Sequence, residues 1–105
     1  MHLTSPAEIV ADGDRLRLIL SGAIDVSVAA DIAALADSAA AHTGDVVVDL
    51  SDVTFIDSSG VGALVALNNS LADRGPRTLY LQPGPPNVMR VLHLVGLDEV
   101  FQLSS

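Results

Sequence analysis

The sequence predicts an α/β fold: one domain over residues 1–105, with a mixed β-sheet and helices packed against it. Three observations carry this. Segments of period two alternate with segments of period near 3.6 in short units, strand then helix three times over. The run Val46-Val47-Val48 is β-branched and apolar on both faces, which marks a buried strand flanked by helices in the middle of the sheet. Half the residues are apolar but only 3% are aromatic, so the core must be built from Ala, Val, Leu and Ile.

Residues 7–11 and 15–21 read as strands around Asp12-Gly13-Asp14, where Asp-Gly signals a hairpin turn. Arg15 and Arg17 alternate with Leu16 and Leu18, which gives that strand one wet face. From Ser27 to about His42 an amphipathic helix is expected, with Val28, Ile32, Leu35, Ala36 and Ala39 inward. Ser27 is placed to cap it, and Gly44 stands just past its end. Residues 45–50 form the central strand, and a connector carries Val53, Phe55 and Ile56. A second helix runs from about Ser59 to Asp73 on a stripe of Leu64, Leu67 and Leu71, and Arg74-Gly75-Pro76 stops it. Residues 77–81 read as a strand and 82–86 as a rigid loop. A third helix from Asn87 to about Val95 turns Val88, Val91, Leu92 and Val95 inward until Gly96 ends it. A last short element covers 99–103.

Thirteen acids face five bases, a net charge of −8, and every base is Arg. Without Lys there is no phosphate-loop lysine, no Schiff-base lysine and no lysine of a receiver-type acidic pocket. Without Cys there are no disulfides, thiolate metal sites or cysteine nucleophile. Between Leu18 and Asp73 stand eight Asp and no base. Such a segment repels nucleic acid and anionic membrane and steers a basic protein partner. The longest aliphatic run, Ala63 to Leu67, is far short of the roughly 18 to 20 residues of a membrane span. Met1-His2-Leu3-Thr4 opens no basic signal peptide, so a cytoplasmic location without membrane insertion is expected.

Chemistry points to Phe55-Ile56-Asp57-Ser58-Ser59-Gly60-Val61-Gly62. Two serines and two glycines sit where a strand hands over to a helix, although glycine is a poor helix former. Close approach is the expected reason, with backbone amides uncovered at the positive end of the helix. Capping is the commoner role for Asp57 or Ser58 taken singly; the combination points to a site.

The stretch from Val46 to Leu64, with Asp49-Leu50-Ser51-Asp52 and Asp57-Ser58-Ser59-Gly60 within it, resembles the signature of STAS domains of the anti-sigma factor antagonist kind. Gly22-Ala23-Ile24-Asp25 resembles the family's earlier Gly-Glu-Leu-Asp turn, and Val91 to Phe101 its closing helix and tail. The resemblance implies a single STAS-type domain whose Ser58 is phosphorylated by a serine kinase that is also the anti-sigma factor. It implies that the unphosphorylated form binds that kinase and frees the sigma factor, and that phosphorylation blocks binding. A serine phosphatase would complete the cycle, with no enzymatic activity in this chain, no cofactor and no metal. Asp25, Asp57, Ser59, Gly60, Val61 and Gly62 are the expected partner-binding face. Ala23 departs from the family's Glu at that position.

Other readings fit less well. Neither Ser58 nor Ser59 stands in the Gly-x-Ser-x-Gly elbow of a hydrolase, and the candidate bases are only His2, His42 and His93. No His-x-x-x-His or Asp-rich loop has metal-ligand spacing. Gly60-Val61-Gly62 lacks the third glycine of a dinucleotide site, and Asn68-Asn69-Ser70 falls within a helix. The serious competitor keeps the fold: an accessory or scaffold subunit of a lipid-transport ABC complex or of a stressosome-like assembly.

Overall fold

In the computed structural model, which describes residues 7–39, 44–73, 78–99 and 101–103, the sheet has five strands in the order β1-β2-β3-β4-β5. They are β1 (Ala7–Asp12), β2 (Arg15–Ile24), β3 (Val46–Ile56), β4 (Leu79–Gln82) and β5 (Gln102–Leu103). The β1–β2 pair is an antiparallel hairpin and the remaining pairs are parallel, so the sheet is mixed, with β3 at its centre. Gly13 takes the positive φ of 62° that the tight hairpin demands.

Three α-helices connect the parallel strands: α1 (Ala29–Ala39), α2 (Ser58–Ala72) and α3 (Pro86–Leu94). Their buried residues form one core with Leu18 and Leu20 of β2, Val46, Val48 and Leu50 of β3, and Leu79 and Leu81 of β4. Val28, Ile32, Leu35, Ala36 and Ala39 all face it, as do Leu64, Leu67 and Leu71. Phe101 is the aromatic member of an otherwise aliphatic cluster.

The opposite face of β3 is built differently from the expectation that helices flank this strand. Val47 is fully buried yet lies outside the helix-covered cluster. It sits in register between Arg17 and Tyr80. The Arg15 guanidinium stacks 4.6 Å from the Tyr80 ring centroid, and Arg17 Nη1 donates to Asp49 Oδ2 at 2.9 Å. Long side chains thus cover Val47 with their stems while their charged ends meet partners.

Several boundaries differ from the sequence expectation. The segment 53–56 is not a connector, because β3 runs on to Ile56, and Gly22-Ala23-Ile24 is the end of β2 rather than a turn. The two extensions pair with each other, Ser21 with Asp52, Gly22 with Val53, Ala23 with Phe55 and Ile24 with Ile56. Two register shifts each add a residue to β3. Inward positions therefore pass from Val46, Val48 and Leu50 to Val53 and then Ile56, a spacing of three that conceals a strand. Ser27 caps no α-helix: Asp25 caps a 3-10 turn at Val26–Val28, and α1 begins behind it. Val95 is exposed, because Gly96 at φ 79° ends α3 before it can turn inward. The expected end of the first helix at 40–42 and the stop at Arg74-Gly75-Pro76 lie outside the described residues.

Asp49 is the buried acid of the core region. Burial raises its carboxyl pKa, but hydrogen bonds from Ser51 N and Oγ to Oδ1, at 2.9 and 2.7 Å, and the Arg17 guanidinium outweigh that and hold it below the ordinary value. The stabilisation from this carboxylate is complete above the ordinary value of 3.8 and is lost as pH falls through the lower folded value. Asp49→Asn should therefore flatten the acid limb of stability below the ordinary carboxyl value of 3.8. Urea midpoints at stepped pH test this; an unchanged slope would show that other carboxylates set the limb.

Candidate functional site

The expected motif occupies the C-terminal end of β3 and the first turn of α2, beside the end of β2. Asp57 is the N-cap of α2. It has extended backbone, and its Oδ1 accepts from Gly60 N at 3.0 Å while its carbonyl accepts from Val61 N at 2.9 Å. Its own N–H donates to the Ile24 carbonyl at 3.3 Å, which ties the start of α2 to the end of β2. Ser58 is the first helical residue, one position earlier than the sequence suggested, and it is exposed. Among the described residues its hydroxyl has no hydrogen-bond partner.

The two glycines do different work. A Cβ at Gly60 would overlap the Ile24 carbonyl oxygen and come within 2.7 Å of Ile56 Cγ1 and 2.8 Å of Ile24 Cγ2. Only glycine lets α2 start this close to the sheet. At Gly62 a Cβ would meet open space. The expectation of close approach holds at Gly60 and fails at Gly62, which is exposed. Uncovered amides are not found at Gly60, whose N–H is taken by Asp57. Val61 is half-buried against the core, and Ser59 is exposed beside Ser58.

Asp25 stands on the neighbouring loop. Its Oδ1 accepts from Ser27 Oγ at 2.5 Å and Ser27 N at 2.9 Å, and these bonds, the hydroxyl's first, hold its pKa below the ordinary value. The 3-10 turn that it caps packs against α2, so Asp25, Asp57, Ser58 and Ser59 belong to one end of the sheet. Two exposed apolar residues join them: Val26, which the sequence did not single out, and Phe55, which opens the segment that it did. Val26 follows Asp25 at 74% exposure, and Phe55 precedes Asp57 by two residues at 50%. The sequence placed Phe55 in a connector; it lies in β3, and the extra residue there that turns it outward leaves no local signal.

His93 lies six residues beyond Asn87 on α3, about 9 Å along the helix axis. Asn87 Nδ2 reaches the Thr54 carbonyl at 3.0 Å, near the motif, whereas His93 is exposed and pairs through Nδ1 with Asp98 Oδ2 at 2.9 Å. The Asp98 hydrogen bond and charge, with Glu99 behind them, raise its pKa. No described hydrogen bond links it to a serine. Among the described residues there is no cluster of His, Asp and Glu fit to hold a metal, and no helix is long and apolar enough to cross a membrane. A groove of about 290 Å³ between α1 and α2, lined mainly by Ala29, Ala33, Ala36, Ala63, Ala66 and Leu67, carries no nucleophile or base beyond Ser70 and Asp37.

With this geometry in hand, comparison with known proteins fixes the class. The family model described as "Mlab, STAS domain" matches residues 7–103, and the chain belongs to the STAS domain family. Its fold is that of the anti-sigma factor antagonist SpoIIAA in its unphosphorylated form, with a TM-score of 0.76 at 22% identity over 94% of this chain and 88% of the other. It also resembles an anti-sigma factor antagonist from Mycobacterium paratuberculosis, with a TM-score of 0.70 at 26% identity over 92% and 82% of the two chains. An alignment of 60 positions, covering 52% of this chain, is 40% identical to Sulfate transporter 1.3 of Arabidopsis thaliana, of which it spans 9%. The family thus includes relatives of both kinds.

The contrast between the glycines is directly measurable. Gly60→Ala should destabilise by roughly 2 to 3 kcal/mol, because backbone must move. Gly62→Ala should be neutral or stabilise by about 0.5 to 1 kcal/mol through helix propensity. Equal losses in urea unfolding would contradict the packing described for α2.

Proposed function

We propose that this chain is an anti-sigma factor antagonist: a non-enzymatic, cytoplasmic switch whose unphosphorylated form binds a serine-kinase anti-sigma factor and releases a sigma factor. Phosphorylation of Ser58 ends that binding, and a serine phosphatase restores it. The observation that carries the reading is the state of Ser58. It is exposed on the first turn of α2, without a hydrogen-bond partner among the described residues, on a base-free segment, while the neighbouring Asp57 is committed to the cap. A kinase can reach that hydroxyl without unfolding anything.

Electrostatics decides how the modification acts. A phosphate adds about 1.5 to 2 negative charges at pH 7. The helix N-terminus favours such a charge by roughly 0.3 to 1 kcal/mol, and the Asp57 carboxylate opposes it at similar range. These local effects nearly cancel, so α2 neither melts nor reorders. What remains is a bulky dianion on an acidic face, with no Lys or Arg between Leu18 and Asp73 to neutralise it. A partner attracted by the acids meets a steric and solvation barrier where the hydroxyl stood. Asp25, Asp57, Ser59, Gly60, Val61 and Gly62 frame the face; Asp57 and Gly60 act by holding the turn.

A second reading draws on the family model's description and on the sulfate transporter relative. In it the chain is an accessory or scaffold STAS subunit of a lipid-transport ABC complex or stressosome-like assembly. That role makes no use of an exposed serine at the helix start, which is why the switch is preferred.

Incubation with ATP and the serine kinases encoded in the source genome should add one phosphate to the wild type and to Ser59→Ala but none to Ser58→Ala, read by intact mass. Ser58→Asp should lose the kinase while its thermal midpoint stays within about 4 °C of wild type. Incorporation that survives Ser58→Ala, or a rearranged amide spectrum in Ser58→Asp, would sink the switch.

A further inference from the structure

We propose that Phe55 is the apolar anchor of the switch face, inserting its ring into an apolar pocket rimmed by Arg or Lys on the protein partner. The inference rests on the switch reading and adds to it the residue that supplies the contact and the chemistry of the surface that receives it.

The backbone itself presents this ring. Val53 points into the core, and unbroken alternation would send Phe55 to the same side. The register instead sets Val53 against Gly22 and Phe55 against Ala23, with Thr54 as the extra residue. That bulge turns Phe55 out and brings Ile56 in. Bulges re-aim side chains beside functional sites, and the extra residue of this one lies four residues before Ser58. Its effect is to leave half of an aromatic side chain in water, although the other phenylalanine, Phe101, is buried in the core. The cross-strand neighbour Ala23 is too small to cover the ring. Val26, exposed on the adjacent turn, extends the apolar surface.

The charge around the ring selects the occupant. Asp25 precedes Val26 in the chain and Asp52 lies three residues before Phe55 on β3, both on the segment that carries eight Asp and no Lys or Arg. A second copy of the chain, itself at −8, would bring like charge to the contact. An anionic membrane would be repelled in the same way. A protein surface with an apolar pocket and a basic rim satisfies both the ring and the carboxylates. Exposed aromatics seated in such pockets are the residues that dominate interface affinity.

The test uses full-length protein and the serine kinase that phosphorylates the wild type, with binding read by calorimetry in ADP. Phe55→Ala should weaken binding by about 30-fold or more, and Phe55→Leu by much less, both with wild-type circular dichroism. Val10→Ala, an exposed apolar position on β1, should change nothing. A benzoylphenylalanine at position 55 should cross-link to the kinase, and the adduct should vanish when Ser58 is also changed to Asp. Binding of Phe55→Ala within twofold of wild type, or an adduct indifferent to Ser58→Asp, overturns the anchor while leaving the switch standing. If Phe55→Ala misfolds, the Leu variant and the cross-link decide between the same outcomes. Should no kinase modify the wild type, the switch itself fails and the anchor falls with it. Self-association that depends on Phe55 in sedimentation would assign the ring to a second copy and overturn the partner proposed.

Discussion

The seating of α2 on the end of β2 is the constraint on which the site depends. Gly60 brings the helix backbone against Ile24, and Asp57 both caps the helix and donates to the Ile24 carbonyl. One short segment therefore fixes the helix angle, satisfies a terminal amide and leaves Ser58 outside as the first exposed hydroxyl. Any residue larger than glycine at position 60 would lift the helix, and Ser58 and Ser59 would move with it. The position of the candidate switch is thus held by backbone packing, not by partners of the serine itself.

The sheet has two faces that serve different ends. One is covered by three helices and holds the aliphatic core. The other is closed over Val47 by Arg15, Arg17 and Tyr80, with Asp49 drawn in as the counter-ion. Two of the five bases are committed there, and the segment that carries Asp25 and Asp57 has no Lys or Arg of its own between Leu18 and Asp73. That imbalance matches a surface that attracts a basic partner, so release on phosphorylation falls to the bulk and solvation of the added group rather than to its charge.

Much of the architecture was legible in the residues. The inward stripes of α1 and α2 repeat at helical spacing and are buried as that spacing requires. The hairpin at Asp12-Gly13-Asp14, the central place of Val46-Val47-Val48 and the stop at Gly96 each follow from local chemistry. The candidate site was legible in part: of the two caps that the motif offered, Asp57 and Ser58, it is Asp57 that caps α2. Gly62 was taken for a close contact, because sequence shows that a side chain is missing without showing what occupies the space.

Amino-acid order alone determined the period of each helix, the turn residues, the acidic middle of the chain and the strand-to-helix handover at Asp57-Ser58. These depend on neighbours a few positions apart. Only the tertiary structure decided that β2 and β3 continue together to Ile24 and Ile56, that Gly60 and not Gly62 carries the close approach, and that Phe55 faces water. Each of those outcomes rests on pairing between segments about 30 residues apart in the chain, where a single extra residue in one strand reverses which side chains are buried.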